Sequence, residues 1–409
     1  MLNKIWGGFF LIAFAVGLGR WLLAGEEEVW AAMVTAAFEL AKTGFEISLG
    51  LTGVMCLWLG VMRLGEKGGA VDLLARAFGP LLRRLFPGIP DGHPATGAIV
   101  MNMAANMLGL DNAATPLGLK AMKELQTLNP EPERASDDQI LFLVINTSAV
   151  TVIPATIFVF RHQLGAADPT DVFVPILIAT FCSTLVGLLV TAAAQRLRLW
   201  DPVVLAYLGA MTAVVAGLVV WFSSLDREAM ERQSSLLSNF AIFSVIVAFL
   251  ALAAWRREPV YETFVEGAKE GFKVAIGIIP YLVAMLVAIG VLRASGALEL
   301  ALDGVRWTVE RAGLDTRWVD GLPTALMRPL SGSGARGLMI ETIEAHGADS
   351  FAGRLVSVIQ GSTETTFYVL AVYFGSVGIR RTRNAVGLGL VADVTGILAA
   401  ITVCYLFFG

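Results

Sequence analysis

The stretch Gln360-Gly361-Ser362-Thr363-Glu364-Thr365-Thr366 lies between two apolar runs, 355–359 and 367–374, which read together as one membrane span. Its Glu364 carboxylate then sits near the bilayer midplane. A charge there costs on the order of 3 kcal/mol or more unless it is paired, protonated or facing water, so the stretch reads as a site that the rest of the chain surrounds. The competing reading is helix packing, in which small polar side chains hold neighbouring helices through interhelical hydrogen bonds. Ser and Thr suffice for that purpose, and a Glu is a costly glue.

Composition agrees with a membrane setting. The chain of 409 residues is 56% hydrophobic and 16% charged, with a mean hydropathy of +0.70, whereas soluble domains carry about 25% charged residues. It reads as an all-α polytopic membrane protein whose first partner is the lipid bilayer. A net charge of -4 leaves no basic face, so nucleic acid is not a partner. Cys56, Cys182 and Cys404 fall singly inside apolar runs, and His93, His162 and His346 are scattered through connections. No metal-ligand spacing results, so neither a metal nor a cofactor is expected. Residues 1–24 carry no cleavage site, and Trp21 and Trp30 suit an interfacial belt, so this run is read as the first span.

Runs of about 20 apolar residues occur at 5–24, 45–63, 140–160, 172–194, 203–222, 239–255, 274–293, 353–375 and 384–408. That predicts nine full crossings. Two more stretches, 94–125 and 319–346, are apolar but cut at Leu110-Asp111-Asn112 and at Ser331-Gly332-Ser333-Gly334, so each is expected to form a re-entrant pair of half-helices. Irregular backbone at membrane depth survives only against protein or a watery cavity, so both breaks should line something. Residues 70–86 and 297–312 have the pattern of amphipathic helices in the membrane interface, and a contact between copies in a homo-oligomer would fall there.

The chain also repeats itself. Glu39-x-Ala41-Lys42-x-Gly44-Phe45, with Gly50 behind it, returns as Glu266-x-Ala268-Lys269-x-Gly271-Phe272, with Gly277 behind it. Gly69-Ala70 returns as Gly296-Ala297, Asn112 to Gly118 matches Ser331 to Gly337, and Asn146-Thr147-Ser148 matches Gly361-Ser362-Thr363. Two copies of one unit follow, 1–200 and 239–409, joined by a linking helix and loop over 201–238. With an odd span between two even units, the second should be inverted. Placing the N-terminus in the cytoplasm puts Arg63, Lys67, Arg76, Arg83, Arg84, Arg196, Arg198, Arg256, Arg257, Arg380, Arg381 and Arg383 inside, as the distribution of basic residues requires.

Inverted repeats with broken helices are how many secondary transporters build a binding site, since half-helix N-termini offer free N–H groups and a positive dipole end. Asn112 is expected to cap a helix from Ala113, and Ser331 and Ser333 one that runs through Leu338 to Ile343. Gly332-x-Gly334-x-x-Gly337 spells a dinucleotide fingerprint without a preceding strand, and is set aside. Pro154 should loosen the span at 140–160 beside Asn146 and Thr151. Asp393, inside the last span, resembles Glu364 as an expensive charge. The two could share a proton or jointly bind a cation, or Asp393 could pair with an Arg as a structural clip.

These residues also carry a resemblance. Asn106-Met107-Leu108-Gly109-Leu110-x-Asn112-Ala113-Ala114-Thr115-Pro116-Leu117-Gly118-Leu119-Lys120-Ala121-Met122 resembles the hallmark of the spore maturation A family. Arg328-Pro329-Leu330-Ser331-Gly332-Ser333-Gly334-Ala335, followed by Ser362-Thr363-Glu364-Thr365-Thr366, resembles that of the spore maturation B family. Both fall in the nucleoside recognition gate superfamily, which is similar to the membrane gates of ferrous iron transporters and, more distantly, to concentrative nucleoside transporters. The resemblance covers about residues 1–200 and 255–409. It implies an inner-membrane protein of transporter type, with the A and B units acting together and here fused. Arg336 departs from the pattern and favours an anionic substrate; the breaks hold no Cys or Met ligands suited to iron.

The leading expectation is a secondary transporter of a small polar solute, nucleoside-like or anionic, coupled to H+ or Na+ across the bacterial inner membrane. Asn106, Asn112, Thr115, Asn146, Thr147, Ser331, Ser333, Ser362, Thr363, Glu364 and Thr365 are the expected solute contacts, and Glu364 and Asp393 the expected ion-coupling groups. The alternative is a non-transporting scaffold subunit of envelope or spore maturation. An enzyme is not expected, because no activated nucleophile or metal motif accompanies the two carboxylates.

Overall fold

The computed structural model describes residues 2–108, 111–149, 151–197, 199–225 and 227–409, and every regular element among them is helical. The first half contains α1 (Leu2–Ala24), α2 (Glu28–Gly68), α3 (Ala70–Leu85), α4 (Pro94–Met107), α5 (Asp111–Thr127), α6 (Asp137–Thr147), α7 (Ala155–Gln163) and α8 (Phe173–Gln195). Helix α9 (Pro202–Ser223) follows. The second half contains α10 (Arg227–Trp255), α11 (Val260–Ala294), α12 (Ala297–Arg311), α13 (Leu322–Met327), α14 (Gly332–His346), α15 (Phe351–Ser362), α16 (Thr366–Ser376) and α17 (Ala385–Phe408). A 3-10 turn, Arg317–Gly321, leads into α13. The order in both halves is the same: a long helix, an amphipathic helix, two broken pairs and a long apolar helix. Gly69 and Gly296 each turn the chain into the amphipathic helix at φ +82°, a left-handed conformation that suits glycine.

Among the described residues, seven helices are long and apolar enough to cross a membrane: α1, α2, α8, α9, α10, α11 and α17. The other two of the nine expected crossings differ in form. The runs at 140–160 and 353–375 are not continuous helices; each is cut, into α6 and α7 and into α15 and α16. In the first, Ala149 takes φ +51° and Pro154 stands as the N-cap of α7. In the second, Thr363 is extended, at φ -145° and ψ 171°, and Thr365 lies outside the helical region. The breaks are tolerated because neighbours satisfy the freed backbone. The Ser148 carbonyl accepts from Thr180 Oγ1 at 3.2 Å and from Thr184 Oγ1 at 3.3 Å, and the Ala149 carbonyl also accepts from Thr180.

The other two breaks fall close to the expected cuts at 110–112 and 331–334. Helix α4 ends at Met107 and α5 starts at Asp111, with Leu110 outside the described residues, and α13 ends at Met327 and α14 starts at Gly332, so that Asp111, Asn112 and 332–334 are already helical. The two ends of the α4–α5 pair lie together, with His93 Nε2 3.4 Å from Thr127 Oγ1, and Gln139 Nε2 of α6 donates to Gln126 Oε1 at 2.8 Å. The start of α17 is at this same pole, because Arg383 meets Asp137 at 2.6 Å. At the opposite pole the Arg317 guanidinium lies 5.0 Å over the Phe351 ring, and Arg161 Nη1 donates to the Ala348 carbonyl at 2.8 Å.

Two antiparallel helix pairs, α2 with α11 and α8 with α17, hold the halves together. The α2–α11 seam is close because it is lined by glycine: a Cβ placed on Gly271 would lie 2.5 Å from the Met55 carbonyl oxygen and 2.8 Å from Cys56 Cα. Backbone cannot yield as a flexible side chain would. At the α7 pole, Arg161 is fully buried and meets Asp171 at 2.8 Å, while Arg354 of the other half meets Asp171 at 2.7 Å. A guanidinium so placed is stabilising only while its partners remain.

Two predictions follow from these contacts. Gly271→Val should separate α2 from α11 and lower stability by about 1–3 kcal/mol or more, read as a fall in the thermal midpoint of the purified protein. Arg161→Ala should remove the buried guanidinium that Asp171 and Asp349 share, leaving Asp171 to Arg354 and Asp349 to the Ala167 N–H, and cost up to about 3–5 kcal/mol in the same assay, whereas exposed Lys42→Ala, at the end of a surface pair with Glu46, should change little.

Candidate functional site

Residues flanking all four breaks line one cavity of about 890 Å³. Asn106 of α4, Ala114 and Thr115 of α5, and Asn146 of α6 contribute from the first half, with Ala149, Thr151 and Pro154 from the α6–α7 connection. From the second half come Arg328, Ser331 and Ser333 beside the α13–α14 break, Gln360 of α15, and Thr363, Glu364 and Thr365 from the α15–α16 connection. Phe160, Phe367, Tyr368 and Tyr373 supply aromatic surface. Residues in or beside the first turns of α5, α7, α14 and α16 therefore reach the cavity wall, and each helix brings the positive end of its dipole to it. Helix α14 is capped, since Gly334 N donates to Ser331 Oγ at 3.0 Å; α7 and α16 have no side-chain cap.

Backbone hydrogen bonds tie the breaks to one another. Glu364 N donates to the Thr147 carbonyl at 2.7 Å, joining the two connections across the halves. Within the halves, Val152 N donates to the Met107 carbonyl at 2.9 Å, and Phe367 N to the Pro329 carbonyl at 3.0 Å. These N–H and C=O groups would otherwise be orphaned at membrane depth.

Arg328 is the residue that sequence reasoning missed. It is buried, donates from Nε to the Thr363 carbonyl at 2.9 Å and also from Nη2 to that carbonyl, and lies 3.5 Å from Glu364 Oε1. The Glu364 side chain is 44% exposed, towards the cavity. The cost argument applied to Glu364 applies equally to an Arg inside an apolar run, and would have found it. Arg336 also lines the cavity, with its guanidinium 5.4 Å from the Phe160 ring centre. On the far wall Asn106 Nδ2 donates to Asn146 Oδ1 at 2.9 Å, and Asn146 Nδ2 donates to the Phe142 carbonyl at 2.8 Å.

The expected contacts divide accordingly. Asn106, Thr115, Asn146, Ser331, Ser333, Thr363, Glu364 and Thr365 line the cavity. Thr147 and Ser362 do not: both are fully buried, each ends a helix, and the Ser362 hydroxyl donates back to the Ile359 carbonyl at 2.9 Å. Helix α5 begins at Asp111, so Asn112 lies inside its first turn rather than capping it, and the Asn112 side chain is outside those described. Asp393 is fully buried behind the cavity wall and accepts from Thr366 Oγ1 at 2.6 Å. It neither joins Glu364 nor, among the described residues, pairs with an Arg; the Arg at this depth pairs with Glu364 instead.

The comparisons with known proteins come to the same residues. The sequence profile of the Gate family, described as nucleoside recognition, matches residues 48–163 and 275–380, which include all four breaks. Over 172 residues the chain is 47% identical to spore maturation protein B of Bacillus subtilis (strain 168), which covers 42% of this chain and 95% of that protein. Over 183 residues it is 39% identical to spore maturation protein A of the same organism, 45% of this chain and 90% of that protein. No solved structure matches the chain. With its long apolar helices, its broken pairs around one cavity and these two matched stretches, the chain is a multi-pass membrane protein that belongs to the Gate, or nucleoside recognition, family.

Proposed function

We propose that the protein is a secondary transporter of the bacterial inner membrane that moves a small anionic solute through the cavity. The observation that carries this reading is the meeting of four helix N-termini with Arg328 around a single space. Such ends stabilise negative charge, and a buried guanidinium recognises carboxylate or phosphate through paired donors. Glu364 would then be the anion's competitor for Arg328, holding it at 3.5 Å until the solute displaces the carboxylate. A scaffold has no use for a cavity of about 890 Å³ at the junction of its halves.

In this reading residues 1–200 and 239–409 are inverted units. Support comes from the α4–α5 pair, whose ends lie at the Asp137 pole, and the α13–α14 pair, whose flanking residues lie at the Arg161 pole. Each pair would be a re-entrant hairpin entering from its own side. The basic residues Arg83, Arg84, Arg196 and Arg383 cluster at the Asp137 pole, which is therefore assigned to the cytoplasm together with the N-terminus.

A second reading is favoured by the opposite wall. The amides of Asn106 and Asn146 and the rings of Tyr368, Tyr373 and Phe160 suit a planar neutral solute such as a nucleoside. The two readings separate on Arg328.

The test is thermal unfolding of purified protein against dicarboxylates, phosphate esters, amino acids, nucleosides and nucleobases, followed by uptake of any hit into liposomes. An anionic solute at about a hundred times its Kd should stabilise the wild type by about 2.7 kcal/mol. Arg328→Gln should weaken binding by about 1.5–3 kcal/mol, one charged hydrogen bond, and Glu364→Gln should tighten it by freeing Arg328. A nucleoside hit that survives Arg328→Gln but not Asn146→Ala establishes the second reading. No stabilisation and no uptake across the panel overturns both and leaves the scaffold.

A further inference from the structure

Helix α17 turns one face to both of the breaks that cross between the halves. On that face Gly389 and Gly396 stand one turn before and one turn after Asp393. A Cβ placed on Gly389 would lie 2.8 Å from Thr366 Cγ2 and 3.6 Å from Thr147 Cγ2. One placed on Gly396 would meet Thr363 Cγ2, with the Ser362 carbonyl oxygen at 3.2 Å and Ser183 Cβ at 3.1 Å. Three threonines therefore press their methyl groups against the face of α17 that carries the carboxylate, and Thr366 also reaches it with its hydroxyl.

Their polar atoms are left incomplete. Asp393 is 0% exposed; its Oδ2 accepts from Thr366 Oγ1 at 2.6 Å, while its Oδ1 has no hydrogen-bond partner among the described residues. Thr147 Oγ1 and Thr363 Oγ1, each on a residue with 0% exposure, have none either. Buried charge is normally paired or bound to a metal, and orphaned buried oxygens are costly. The helix ends add to the demand for positive charge. Thr147 is the last residue of α6 and Ser362 the last of α15, so two negative dipole ends abut the carboxylate. The charged groups that face Asp393 from the surrounding elements are Arg328 and Glu364, already engaged with each other in the cavity; α6, α8 and α15 present Thr147, Ser183 and Ser362.

We propose that Asp393, with the hydroxyls of Thr147, Thr363 and Thr366, holds one small monovalent cation, Na+, at the crossing of the two breaks. Oxygen donors select a hard ion, and a single carboxylate balances a single charge. The site is separate from the solute cavity but shares a peptide with it. The Thr363 carbonyl holds Arg328 in the cavity, while the Thr363 methyl packs on Gly396, one turn from Asp393 on α17. Cation occupancy would thereby fix the position of the guanidinium that receives the anion, a coupling that rests on the transporter reading. The cation site itself does not depend on it.

The experiment follows thermal unfolding of the full chain in NaCl against choline chloride at equal ionic strength, with direct binding of radioactive Na+ and no solute present. For a sodium site, Na+ raises the wild-type midpoint in a saturable way; Asp393→Asn abolishes the rise and Thr363→Val weakens Na+ binding by roughly tenfold or more, as loss of a supporting ligand does elsewhere, while Thr363→Ser retains it. The proposal is overturned if Na+ leaves the wild-type midpoint unchanged, or if wild type and Asp393→Asn respond identically to it. Should Asp393→Asn not fold, Thr363→Val decides: Na+ binding unchanged from wild type would equally overturn the proposal. A flat solute panel beside a Na+ response confined to Asp393 would retire the transporter reading and leave the cation site standing.

Discussion

Glu364 donates its backbone N–H to the Thr147 carbonyl at 2.7 Å, and this bond occupies the point where the two halves cross. A helix cut inside a membrane leaves N–H and C=O groups with no water to satisfy them, so a cut is tolerable only beside another cut or beside suitable side chains. Here each broken pair supplies what the next one lacks. Val152 bonds back to the Met107 carbonyl, Phe367 to the Pro329 carbonyl, and the Thr180 hydroxyl to the carbonyls of Ser148 and Ala149. The cavity, the exposed helix N-termini and the placement of Arg328 all follow from that mutual satisfaction.

The long helices set the distances within which this can happen. Glycine along α2 and α11 lets their backbones approach until a Cβ at Gly271 would collide with the Met55 carbonyl. At the poles, Arg161 and Arg354 clamp Asp171, and Ala135 N donates to the Arg381 carbonyl at 3.0 Å. The rigid frame therefore carries the packing, and the irregular backbone at its centre carries the chemistry.

Much of this was legible in the sequence, for identifiable reasons. Glycine and serine at 331–334, and the Pro94–Leu125 stretch with its polar centre, announce breaks because such residues interrupt helical hydropathy. The cut at 363–365 was not legible, because three polar residues between apolar runs look the same on an intact helix as on extended backbone, and hydropathy averaged over about 19 residues does not resolve them. Pro154 did mark its span as loosened, though the structure breaks that span completely. The costs of Glu364 and Asp393 were readable from residue type alone. Their partners were not: that Arg328 goes to Glu364, and that Asp393 meets threonines from separate elements, is a property of helix crossing which no local pattern encodes.

The two poles are held by unlike ion pairs. One has Arg161, fully shielded from solvent, against an Asp171 side chain that is 13% exposed; the other has Arg383 and Asp137, whose side chains are 32% and 52% exposed. Mobile ions screen exposed charges over about 8–10 Å and scarcely reach buried ones. Ionic strength therefore acts unevenly on this molecule: raising it weakens the Arg383–Asp137 contact at one pole and leaves the Arg161–Asp171 contact at the other almost untouched.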